Sequence, residues 1–153
     1  MENFTVKDLL SSTYGTRSPK LRSLIEMCKY VFGDSYTSSE ESIYVKNLYN
    51  FTYRKCEIKD VEIYTVYDNK FYVISYIENE NSIGQNYLKS YNLKDIELVE
   101  LKEHKAYGEI ILDLNIKFKS NVSYTLNNSI DTYEEVKSEE YREIIIDIFN
   151  KLK

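Results

Sequence analysis

The chain has 153 residues, is 42% hydrophobic and 29% charged, and carries a formal net charge of −5. That size and balance suit one soluble globular domain and exclude a disordered chain. The acidic excess argues against nucleic acid and anionic membranes, both of which call for a cationic footprint. Sixteen tyrosines, one proline, four glycines and no tryptophan stand out. With the abundance of Lys, Asn and Ile they track an AT-rich genome, such as that of a low-GC bacterium or its phage.

Met1–Leu10 (MENFTVKDLL) lacks an apolar core and does not read as a signal peptide. The longest apolar run is Phe71–Ile74, too short for a membrane-spanning helix. Cys28 and Cys56 then read as free thiols in a reducing cytoplasm.

A short helix is expected at Val6–Leu10, followed by a Ser/Thr/Gly loop over residues 11–16. Ser18 suits an N-cap and Pro19 the first helical position. Leu21, Leu24, Ile25, Cys28, Val31 and Phe32 share one face of a helix that Gly33 ends. Residues 34–57 favour a loop and then a long or broken strand, Ile43–Lys55.

Strands follow in quick succession. Val61–Tyr67 and Lys70–Ile77 flank Asp68-Asn69, a pair that tolerates positive φ and predicts a tight hairpin. Tyr87–Leu93 and Asp95–Glu103 come next. Lys102-Glu103-His104-Lys105 reads as a solvated turn. Tyr107–Lys119 alternates cleanly, with Ile110, Leu112, Leu114, Ile116 and Phe118 on one side. Ser120-Asn121 turns the chain into Val122–Leu126. After a polar loop, Asn127–Lys137, Ser138 caps a final helix. Its buried stripe is Tyr141, Ile144, Ile145, Ile148, Phe149 and Leu152.

The order is α+β: antiparallel strands closed by one helix. Tyr91-Asn92-Leu93-Lys94-Asp95-Ile96-Glu97-Leu98-Val99-Glu100-Leu101 resembles the middle of small bacterial pleckstrin-homology-like (PH-like) proteins, where one strand steps into the next. The stretch from Ile116 to Leu126 resembles their final hairpin. The resemblance implies a PH-like antiparallel barrel, or two packed sheets with a C-terminal capping helix, over residues 43–153. A helical segment, residues 1–33, lies outside it and is expected to pack on the barrel. Phosphoinositide binding in such domains needs converging basic residues. Here Arg54, Lys55 and Lys59 are interleaved with Glu57, Asp60 and Glu62, which departs from that pattern.

Catalytic constellations lose to plainer readings. Cys28 lies on an apolar helix face, and Cys56 has no assignable base. His104, the only histidine, has no metal-ligand spacing to either cysteine. Glu-x-Lys occurs at Glu57-Ile58-Lys59, Glu100-Leu101-Lys102 and Glu135-Val136-Lys137, as often as chance supplies it in so charged a chain. No catalytic residue, metal or cofactor is expected. A non-enzymatic cytoplasmic module is the leading expectation. It would bind a protein or peptide, a second copy of the chain included, through a sheet edge or a tyrosine-rich face. Tyr64, Tyr72, Tyr76, Tyr87 and Tyr91 are its candidate residues, because rigid amphipathic rings lose little entropy on binding. An acidic immunity or inhibitor protein that neutralises a basic partner is the alternative, and a small enzyme with a cleft between helices and barrel is a third.

Overall fold

The computed structural model describes residues 4–12, 18–46, 61–78, 81, 84–131 and 138–153. Its first element, α1 (Val6–Ser11), starts from a reciprocal cap. The Asp8 amide donates to Thr5 Oγ1 (3.4 Å), and the Thr5 amide donates to Asp8 Oδ2 (2.9 Å). The Ile43 amide donates to the Phe4 carbonyl (2.8 Å), which ties the approach to this helix to the sheet.

The expected helix 19–32 is split in two. Helix α2 (Pro19–Glu26) has Ser18 as its cap, accepting from the Leu21 amide at 3.1 Å. Met27 and Cys28 then bond back three residues, to Leu24 and Ile25, before α3 (Lys29–Phe32) resumes. This tighter turn keeps Leu21, Leu24, Ile25, Cys28 and Val31 buried together. Gly33, at φ +86°, ends α3 in a conformation suited to glycine.

The strands form two antiparallel sheets. The first has the order β1 (Tyr44–Lys46), β2 (Glu62–Tyr67), β3 (Lys70–Glu78), β4 (Gly84–Asn92). The second has the order β5 (Ile96–Ala106), β6 (Glu109–Phe118), β7 (Ser123–Asn127). Asp68 and Asn69, at φ 51° and 61°, make the expected β2–β3 hairpin. The turn expected at 102–105 is instead strand. The chain reverses at Tyr107-Gly108, where both φ angles are positive, so His104 is an exposed β5 residue. Of the strand expected over 43–55, the described part is β1; the rest lies outside the described residues.

Among the described residues the two sheets are not joined into a closed barrel, so of the two expected forms the structure shows the two sheets. Where β1 and β7 approach, side chains bridge them in place of a backbone ladder. Lys46 Nζ donates to the Thr125 carbonyl (2.8 Å), and the Asn127 amide donates to the Tyr44 hydroxyl (3.0 Å). At the other side β4 runs into β5 through a 3₁₀ turn, Leu93–Asp95.

Register places Tyr44, Tyr64 and Val73 side by side, and Val66 with Phe71 and Tyr91. This face meets the second sheet, since Phe71 packs on Phe118 and Tyr124. The opposite face meets the N-terminal helices: Tyr67 packs edge-to-face on Phe32, and Asn86 donates to Ser23. Strand β2 is covered from both sides, so Ile63, Tyr64, Thr65 and Val66 are all buried. The N-terminal helices thus share one contiguous core with the sheets.

Helix α4 (Ser138–Leu152) packs against both sheets, touching β1, β2, β5, β6 and β7. Tyr141, Ile144, Ile145, Ile148 and Leu152 are buried, while Ile146, one residue off the stripe, is 40% exposed. The Tyr141 hydroxyl donates to the Val45 carbonyl (2.7 Å), and Lys151 pairs with Glu41 (2.9 Å).

Candidate functional site

Strand alternation divides the five candidate tyrosines. Tyr64 is 1% exposed and packs on Tyr44, Phe71 and Tyr124. Its hydroxyl donates to Glu62 Oε1 (3.0 Å); burial, then the Glu62 charge, pushes its pKa far up. Tyr64 is core material and leaves the exposed set. Tyr91 is half-buried. It stacks on Phe118 at 4.4 Å and shares a hydrogen bond with the Tyr124 hydroxyl at 2.7 Å.

Tyr72 and Tyr76 point to the other face and are half-buried. Burial raises the Tyr72 pKa, and the charge of Asp68 adds to it. Tyr76 lies over Gly84, where a Cβ would collide with its ring and hydroxyl. Tyr87, on β4, is 38% exposed, and its hydroxyl donates to Gln85 Oε1 (2.6 Å). The structure therefore gathers no single patch of five rings. It offers one exposed tyrosine on an edge strand, with Tyr72 and Tyr76 on the reverse face of the same sheet.

Strand β4 pairs with β3 along its whole length, Gly84 to Asn92. Its other side has no strand partner among the described residues. Gln85, Tyr87, Lys89, Ser90 and Asn92 are exposed along it. The unpaired backbone groups of such an edge are a template for another strand.

A buried polar cluster lies at the β1–β7 seam, and sequence reasoning missed it. Asp131 is 1% exposed and accepts from the Tyr44 hydroxyl and the Asn127 amide (3.1 Å). Burial raises the Asp131 pKa, Asp113 adds to this, and the Tyr44 bond, the Asn127 amide and Lys46 oppose it. Burial, then the Asp131 charge, raises that of Tyr44. Next to Asp131 in the chain region, Asn128 is fully buried. Its Oδ1 accepts from the Leu112 amide (2.7 Å) and its Nδ2 donates to the Ile110 carbonyl (3.1 Å) and Ser138 Oγ (2.9 Å). These contacts fasten β6, the turn after β7 and the start of α4. Most of these contacts satisfy backbone or capping needs, while Asp131 Oδ1 is buried without a hydrogen-bond partner.

The groups with catalytic letters are dispersed. Cys28 is a buried free thiol whose pKa is pushed up to about 12 by burial, so it is not a nucleophile at neutral pH. Glu100 and Lys102 form an exposed pair on β5 at 3.3 Å. Cys56, Arg54, Lys55, Lys59 and the other two Glu-x-Lys triplets lie outside the described residues. Among the described residues no three His, Cys, Asp or Glu side chains are grouped to hold a metal. A groove of about 530 Å³ is lined by Thr5, Lys7, Thr37, Ser38, Ser39 and Glu40, with no cysteine or histidine among them. No described helix is long and apolar enough to cross a membrane. Comparison with family models, curated proteins and solved structures finds no match.

Proposed function

We propose that the chain is a non-enzymatic recognition module of PH-like architecture that takes an extended segment of a protein or peptide along β4. The carrying observation is a nine-residue edge strand that has no strand on its outer side among the described residues and displays an exposed tyrosine. The added strand pairs with the β4 backbone groups that point away from β3, and Tyr87 supplies an aromatic anchor. Gln85 and Lys89, two positions to either side on the same face, flank that ring with hydrogen-bonding groups. The net charge of −5 steers neutral-to-basic segments toward the module. The PH-like reading is supported by the succession of four strands, three strands and a C-terminal helix that contacts both sheets. The free Cys28 thiol supports a cytoplasmic setting.

Selection from a displayed library of random linear peptides tests this reading. Wild-type protein should enrich peptides with alternating apolar residues, and Tyr87→Ser should lose them by about tenfold or more in affinity. Peptides that bind Tyr87→Ser as tightly as wild type would remove β4 as the recognition edge.

A further inference from the structure

Strand β5 is the second long edge, and its charges are arranged in an uncommon way. It ends the three-stranded sheet, with β6 on one side and no strand on the other among the described residues. Edge strands usually carry charge to repel other edges. In β5 the charges are segregated instead. Glu97 and Glu100 precede Leu101, and Lys102, His104 and Lys105 follow it, with Glu103 the exception.

We propose that β5 pairs antiparallel with β5 of a second copy of this chain, on a two-fold axis through Leu101, to form one continuous six-stranded sheet. In an antiparallel pair about that axis, each residue faces the one equally far on the other side of Leu101. Glu100 then faces Lys102 of the other copy, and Lys102 faces its Glu100. Within each copy Glu100 and Lys102 are already in contact, at 3.3 Å, with side chains 45% and 63% exposed. The dimer thus closes a ring of four charges of alternating sign, each with two opposite neighbours.

Side-chain direction supports the match. Val99 and Leu101 oppose Ile116 and Leu114, both fully buried, so they point to the core. Glu100 and Lys102 alternate to the outer face, and Leu98, 48% exposed, joins them there. In the dimer Leu98 faces His104, and the Leu101 side chains meet across the axis on the core side. The regular ladder of β5 with β6 begins at Leu98, after a bulge between Ile96 and Leu98. The paired segment is therefore Leu98–His104, and the ends bring Glu97 toward Lys105.

Neighbouring registers fail on charge. Because residues alternate in which way their backbone groups point, the axis must pass through a residue. On Glu100 it would set Glu100 against Glu100. On Lys102 it would set Lys102 against Lys102, and on Glu103 it would do the same for that residue. Like charges directly opposite destabilise a pair. Leu101 is the centre that avoids this in the middle of the strand.

So short a ladder is a small interface, and the dimer should form at micromolar concentrations. Sedimentation equilibrium of the full chain from about 1 μM to 1 mM tests it. Wild type should dimerise reversibly. Glu100→Lys and Lys102→Glu should each weaken the dimer about tenfold, since the symmetry turns two pairs repulsive at once. The combined Glu100→Lys/Lys102→Glu chain should recover to within about threefold of wild type, because the exchange restores every pair. Both side chains are exposed, so circular dichroism should give the same fold throughout. A wild-type monomer at all concentrations, a dimer indifferent to the single changes, or a combined chain no tighter than the singles would each overturn the proposal.

Discussion

Replacing Ile145 with Asp probes the seat of α4 against the sheets. Ile145 is 0% exposed in the middle of that helix, so the change removes a full apolar burial of about 1.5–3 kcal/mol. It also leaves a carboxylate without a partner, at an effective cost of several kcal/mol. The sum, about 4–7 kcal/mol, is a large part of a typical domain's stability of about 5–15 kcal/mol. Ile146 is the internal control, being 40% exposed on the next position. Ile146→Asp should change stability by no more than about 0.5–1 kcal/mol. At about 2–4 °C per kcal/mol for a chain of this size, Ile145→Asp should lower Tm by at least about 8 °C or prevent folding, and Ile146→Asp by at most about 4 °C. Thermal melts followed by far-ultraviolet circular dichroism read both. Equal shifts for the two variants would mean that α4 does not dock by this face.

Deleting residues 1–33 should expose the face of the first sheet that the N-terminal helices cover, and size-exclusion chromatography should show aggregates or new oligomers. A monomer as stable as the full chain would show the segment to be an appendage. Asp131 gives a signed pH dependence. Its pKa in the folded chain is raised above the ordinary 3.8, so the native state holds this proton more tightly than the unfolded one. Its stabilising contribution is full below that ordinary value and is lost as pH rises through the folded pKa. In urea titrations, wild type should therefore gain on Asp131→Asn as pH falls from 7 toward 4; a constant difference, or one of opposite sign, would refute the placement.

Local signals made much of this fold legible. Ser18-Pro19 and Gly33 mark helix ends by capping chemistry, and Asp68-Asn69 marks a hairpin by tolerance of positive φ. The stripe of α4 emerged because its period matches the helix. The failures have tertiary causes. Lys102–Lys105 looked like a turn because it is polar, yet an edge strand with one wet face accommodates that polarity. The true reversal, Tyr107-Gly108, carried a glycine signal that the regular alternation around it concealed. Tyr64 stands among the candidate binding residues because sequence cannot show that β2 is covered on both sides by segments far away in the chain. The seam of Tyr44, Asp131 and Asn127 joins residues more than eighty positions apart, and no spacing rule reaches that far. Buried Asn128 and Asp131 sit inside what reads as a polar loop, since polarity alone does not distinguish a solvated residue from a buried one.

The most direct test of recognition along β4 is amide hydrogen exchange, read residue by residue by NMR, with a library-selected peptide bound. Strand addition should slow exchange at alternate β4 amides between Gly84 and Asn92, those that point away from β3, and shift the Tyr87 ring resonances. Protection confined to other elements, with β4 amides exchanging as in the free protein, would contradict it.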